Sequence, residues 1–294
     1  MKRLIGLAFI ILGFISCQKH STEVNIKKDI KTTSETFGKL HNQMLSYVNK
    51  NWSTDPEQNN KTEDDDIALL TEEEATLFNS FIHSLAPGTI DTTGLSFSTI
   101  YPIAYNINSD YKTFCEQNYP SGTSAYDVAP FLYEYKRQQI QNDILIKTKP
   151  NGLPLFSVKE KNFIDSMLIR IGRVETVRDY GTFPAVFDGL DVLYSAQNFD
   201  TETGDGYISS ICLEIGKNSY QYWSVTNVLD NPNGTYESVT ALPLWVGLDA
   251  LGAVAGGVSS LVSGGSLGQA GSQALIWGGA GSVPATRWFR RLFF

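Results

Sequence analysis

Chemistry at a protein site needs a nucleophile, a base or a metal ligand held at a defined spacing, and this chain offers few candidates. It has three histidines, His20, His41 and His83, and three cysteines, Cys17, Cys115 and Cys212. A thiol becomes a strong nucleophile beside a base. Cys115 with His41 and an aspartate is the one such grouping that can be written, and no local signature accompanies it. No H-E-x-x-H, C-x-x-C or phosphate-binding glycine loop occurs. Asp200 to Ile208 has the look of a calcium loop. With Gly206 as the turn glycine, however, Thr201 and Thr203 fall where acidic ligands belong and Cys212 falls at the bidentate glutamate. The segment therefore reads as a polar connection, and the residues imply no metal, no cofactor and no catalytic residue.

Cys17 carries a different chemistry. Met1-Lys2-Arg3 is a short positive start, Leu4 to Ile15 is an apolar run of twelve, and Ser16-Cys17 follows. That order describes an export signal, and the run falls short of the ~20 residues a membrane span needs. The terminal cysteine makes it similar to a bacterial lipoprotein signal, in which the thiol is acylated and becomes the first mature residue. An ordinary secretory signal is the alternative. Gln18 after the cysteine resembles the sorting signal for the outer membrane. Expected location is thus the cell envelope, with Cys17 (palmitate or a related acyl chain) as the link to membrane lipid. Removing Lys2 and Arg3 leaves 21 basic against 31 acidic residues, a net of −10, which argues against a nucleic-acid partner. In an oxidising compartment Cys115 and Cys212 can form a disulfide; two buried free thiols are the other reading.

Positions 17–33 are polar without an apolar period and read as a tether. Positions 34–230 read as a helical body. Phe37, Leu40, Met44, Tyr47 and Val48 recur at helical spacing, and Ser53 to Asp66 reads as a solvated acidic loop. Thr71 with Glu74, and Ser157 with Glu160, have the spacing of capping boxes that open helices. Further helices are predicted over Ala125–Lys147, Pro184–Asn198 and Ile208–Trp223, whereas Thr89–Tyr101 reads as loop. No long alternation of period two appears, so the fold class is all-α, an irregular bundle of five to seven helices.

Positions 241–294 form a glycine-rich tail beyond the Asn231-Pro232-Asn233-Gly234 turn signal. Ala250 to Thr286 holds 37 residues, ten of them Gly and none charged. Small residues recur every fourth position: Gly252, Gly256, Ser260, Gly264, Gly268 and Ser272. Such a stripe lets a second helix approach closely. The break at Ser263-Gly264-Gly265-Ser266 predicts a helical hairpin, followed by the basic, aromatic Arg287-Trp288-Phe289-Arg290-Arg291. The tail suits either membrane insertion and self-association or packing on the acidic body.

One short pattern carries a resemblance. Gly38, His41, Asn42 and Leu45 make a G-x-x-H-N-x-x-L element, and Ser219, Tyr222 and Trp223 make an S-x-x-Y-W element. With the signal and the glycine-rich end, these resemble an uncharacterised group of bacterial lipoproteins and secreted proteins. The resemblance implies an envelope location but no activity. His41 and Asn42 on an early helix are expected to hydrogen-bond to Ser219 or Tyr222 and fix helix packing. Expected function is a non-enzymatic envelope protein acting through interaction, with a protein partner that the residues do not name. The alternatives are a membrane-active, pore-forming tail and a hydrolase with an unrecognised site.

Overall fold

A computed structural model describes residues 33–52, 63–118, 125–149, 151–177, 180–200, 203–225 and 242–293. Cys17, the signal, the tether before position 33 and the turn signal at Asn231 lie outside them. The described residues form nine helices and no strand: α1 (33–51), α2 (Glu63–Ser84), α3 (Phe97–Asn118), α4 (Ala125–Gln139), α5 (Val158–Val177), α6 (Phe183–Ala196), α7 (Tyr207–Val225), α8 (Leu242–Val262) and α9 (Leu267–Phe293). A π-helical turn, Ile140–Ile144, extends α4. The all-α bundle with a C-terminal helical hairpin is therefore present as read from the sequence.

The hairpin, however, is not an appendage. α8 packs on α9, α7, α5 and α4, so it occupies the centre of the molecule. Leu244, Trp245, Val246, Leu248, Leu251 and Val254 are all buried. A helix that is apolar all round must be covered on every side, and the neighbouring amphipathic helices supply the cover. Leu244–Val262 is also long and apolar enough to cross a membrane by length and composition, with 67% of its apolar window buried inside the protein.

Local signals set the ends of the hairpin. Gly264 takes φ +82, a left-handed conformation that glycine adopts without steric cost. Gly265 N–H donates to Ser260 O at 2.9 Å and Gly264 N–H to Leu261 O at 3.1 Å, the paired bonds of a Schellman C-cap. Two residues later Ser266 and Gln269 form a reciprocal capping box. Gln269 N–H donates to Ser266 Oγ at 3.1 Å, and Ser266 N–H to Gln269 Oε1 at 2.7 Å. Between the helices, Gly252 and Gly256 give up side-chain volume. A Cβ at Gly252 would strike the Trp277 carbonyl, and one at Gly256 would lie 2.7 Å from the Trp277 ring. The predicted stripe thus splits. Gly252 and Gly256 face α9, Gly264 makes the turn, Gly268 abuts Asp91, and Ser272 is buried with its Oγ on Gly268 O.

Two readings of helix starts need correction. Ser53–Asp66 was expected to be loop throughout, yet α2 opens at Glu63, so four acids occupy its first turn. The helix dipole favours negative charge there. Thr71 therefore does not cap a helix; it lies inside α2, fully buried, with Glu74 on the same face. α3 begins at Phe97, within the expected Thr89–Tyr101 loop, and carries Pro102. Ser96 caps it, with its N–H on Thr99 Oγ1 at 2.9 Å. The Ser157–Glu160 box is half made. Glu160 N–H donates to Ser157 Oγ at 3.1 Å, but the Glu160 carboxylate turns inward.

Candidate functional site

Three helices distant in sequence meet at one carboxylate. α7 places Ser219 and Trp223 one turn apart on the same face, α8 supplies Asp249, and α1 supplies His41. Ser219 Oγ–H donates to Asp249 Oδ2 at 2.5 Å, and Trp223 Nε1–H donates to the same oxygen at 3.1 Å. His41 Nε2 lies 3.5 Å from it. His41, Ser219 and Asp249 are each 0% exposed. Neither ring nitrogen of His41, nor Asp249 Oδ1, has a hydrogen-bond partner. The carboxyl group is held by two donors and faces an imidazole, the partners a buried polar group requires.

Gly38 explains how α1 gets close enough. A Cβ there would meet Glu214 O of α7 at 2.7 Å, so only glycine lets the two backbones approach. His41, one turn on, then reaches Asp249. Leu45 fills the core, Asn42 is half-buried, and Tyr222 OH accepts from Asn49 Nδ2 at 2.6 Å. Of the motif residues, His41, Ser219 and Trp223 meet at Asp249, with Gly38 at the contact of α1 and α7. The expected bond from His41 to Ser219 or Tyr222 is replaced by the shared acid Asp249, which the sequence reading passed over. Its signal was visible, since a lone acid at the edge of a long uncharged run implies a buried partner set.

The interior holds two further polar centres. Asn108 of α3 donates to Thr71 Oγ1 at 3.3 Å, Glu74 Oε2 at 3.1 Å and its own Ala104 O at 3.0 Å. Tyr111, one turn later, donates to Gly281 O at 2.9 Å, and burial together with the Asp249 and Glu74 carboxylates pushes its phenol well above the usual range. On the other side Glu160 accepts from Ser209 N–H at 3.3 Å and Oγ–H at 3.1 Å. Desolvation is the main cause of its rise to about 8. Backbone donors at Gly206 and Ser209 oppose the rise and Asp205 adds to it.

This arrangement disfavours nucleophilic catalysis. A serine is activated when its proton goes to a base that a third group orients. Here Ser219 gives its proton to the acid, His41 touches that acid from another side, and no member reaches solvent. Gly264-Gly265-Ser266-Leu267-Gly268 also spells G-x-S-x-G, but it links two helices rather than a strand and a helix. Its Ser266 caps α9 and donates to Asp91 Oδ2 at 3.1 Å.

Cys212 is a free thiol, fully buried on α7, so the Cys115–Cys212 disulfide is corrected to a buried thiol at that position; burial raises its pKa well above the usual value. His83 is exposed, with Nδ1 2.8 Å from Asn79 O. Among the described residues no group of three His, Cys, Asp or Glu side chains could hold a metal ion. The backbone of α9 continues through Arg287–Arg291, whose side chains lie outside the described residues. No protein-family model, curated protein or solved structure matches the chain.

Proposed function

We propose that the protein is an exported, Cys17-acylated envelope protein that acts through interaction rather than catalysis. One observation carries the non-enzymatic part: the side chains most able to do chemistry, His41, Ser219 and Asp249, are spent on each other inside the core. Their arrangement supports a role as a lock that holds α1, α7 and the hairpin together. A fluorophosphonate probe, which labels activated serines, tests this on the purified full chain. No labelling is expected; labelling lost in Ser219→Ala would overturn the reading. The anchor rests on the sequence signal. Metabolic labelling with an alkyne fatty acid should mark the wild type and spare Cys17→Ala, and equal labelling would remove the anchor.

A second reading is favoured by the span-like Leu244–Val262. A central apolar hairpin released from its cover would be membrane-active. Dye release from lipid vesicles by the full chain separates the two: release supports insertion, and intact vesicles support the interaction role.

A further inference from the structure

A cleft of about 260 Å³ opens beside the buried centre, between α3, the α4 π turn and the hairpin. Its wall is apolar, formed by Ile107, Ile140, Leu248, Leu251 and Trp277. Gly252 and Gly281 also line it, at the close backbone contacts of α8 with α9. At roughly twice the ~150 Å³ of a cavity that holds benzene, it has space for a small ligand of about a dozen heavy atoms.

One end is charged. The Lys136 ammonium lies in the cleft with only 16% of its side chain exposed. It pairs with Asp110, which is twice as exposed and stands toward solvent. On other sides the ammonium lies 5.1 Å from the Tyr111 ring centre and 5.8 Å from that of Tyr135. An ammonium has three donors, and one carboxylate plus two rings compensate it poorly. Burial accordingly lowers its pKa to about 8. Asp110 is the counter-charge, and the donors it does not take remain open to an acceptor entering the cleft, such as a ligand carboxylate. Asp143, exposed at the rim, sets a limit, because a second negative charge on the ligand would be repelled. The π turn adds an independent indication. Such turns are rare and are frequent at functional sites, and this one contributes Ile140, Asp143 and Ile144 to the cleft.

We infer that this cleft is a binding site for an amphipathic monocarboxylate, its carboxylate on Lys136 and its apolar chain along Leu248, Leu251 and Trp277. The site is separate from the buried Asp249 centre and stands whether or not the chain is lipid-anchored.

Titration calorimetry of the purified full chain with octanoate, octanol and octylamine tests it. Octanoate should bind saturably at one site, octanol at least tenfold more weakly, and octylamine more weakly still. Lys136→Met keeps the apolar stem and should weaken octanoate at least tenfold while leaving octanol unchanged. Ala255→Phe fills the cleft from α8 and should abolish binding of both at an unaltered melting temperature. If Ala255→Phe fails to fold, the Lys136→Met comparison decides alone. Octylamine binding tighter than octanoate would overturn the proposal, as would absence of saturable octanoate binding or indifference of octanoate to Lys136→Met.

Discussion

Asp249 is the residue on which the interior turns, and its replacement should be felt as lost stability. Asp249→Ala leaves the Ser219 hydroxyl, the Trp223 indole and the His41 imidazole facing a void. Removing one partner of a buried charged cluster costs ~3–5 kcal/mol, so urea unfolding should show a loss of that size. His41→Ala should cost ~1–3 kcal/mol. In a double-mutant cycle the pair should couple by about 1 kcal/mol or more, since the imidazole faces Asp249 Oδ2; strict additivity would mean that the imidazole is only packed there. Glu160 gives a pH signature. Its folded pKa of about 8 lies above the ordinary 4.5, so the native state holds a proton that the unfolded chain releases. Its stabilising effect is complete below pH 4.5 and lost as pH rises through about 8, a change on the order of a few kcal/mol. Glu160→Gln should flatten the fall in melting temperature between those limits.

Helix contacts reverse the usual ranking of glycine and alanine. In an exposed helix Gly→Ala gains ~1 kcal/mol. Gly256→Ala should instead destabilise by ~1–3 kcal/mol, because its Cβ would press on Gln273 O and the Trp277 ring. Gly216 of α7 is the control. The nearest atoms to a Cβ there are side-chain atoms of Phe187 and Ala250, the closest at 3.4 Å, so Gly216→Ala should be neutral or slightly stabilising. Thermal melts of the two variants should move in opposite directions or differ by several degrees. Much at this level was legible in the chain. The apolar period of α1 and the Ser263–Ser266 break both correspond to elements found; Leu251, Val254 and Val258 are buried as a packed hairpin requires, and Leu261 is half-buried. Thr71 with Glu74 was misleading. Side-chain spacing alone cannot distinguish a cap from two polar residues sharing a buried face, and Asn108, 34 residues beyond Glu74, decides between them.

For the molecule as a whole, α8 is core rather than tail. Deleting residues 242–294 should abolish cooperative unfolding of the remainder, because α4, α5 and α7 would lose the surface on which they pack. The full chain should melt in one transition followed by both near- and far-ultraviolet circular dichroism. A truncated chain that retains a sharp melt would show that the other helices form a unit without the hairpin.

The residues by themselves determined that the chain is helical and that the hairpin bends within Ser263–Ser266. These follow from local rules, since period, capping and φ freedom act within a few residues. Only the tertiary structure decided that α8 lies inside the body, that Asp249 is the acid shared by His41, Ser219 and Trp223, and that Cys212 stays a free thiol. A buried carboxylate is tolerable only where donors converge from other helices. Convergence across separations of 26 to 208 residues is a property of the packed molecule rather than of any stretch of its chain.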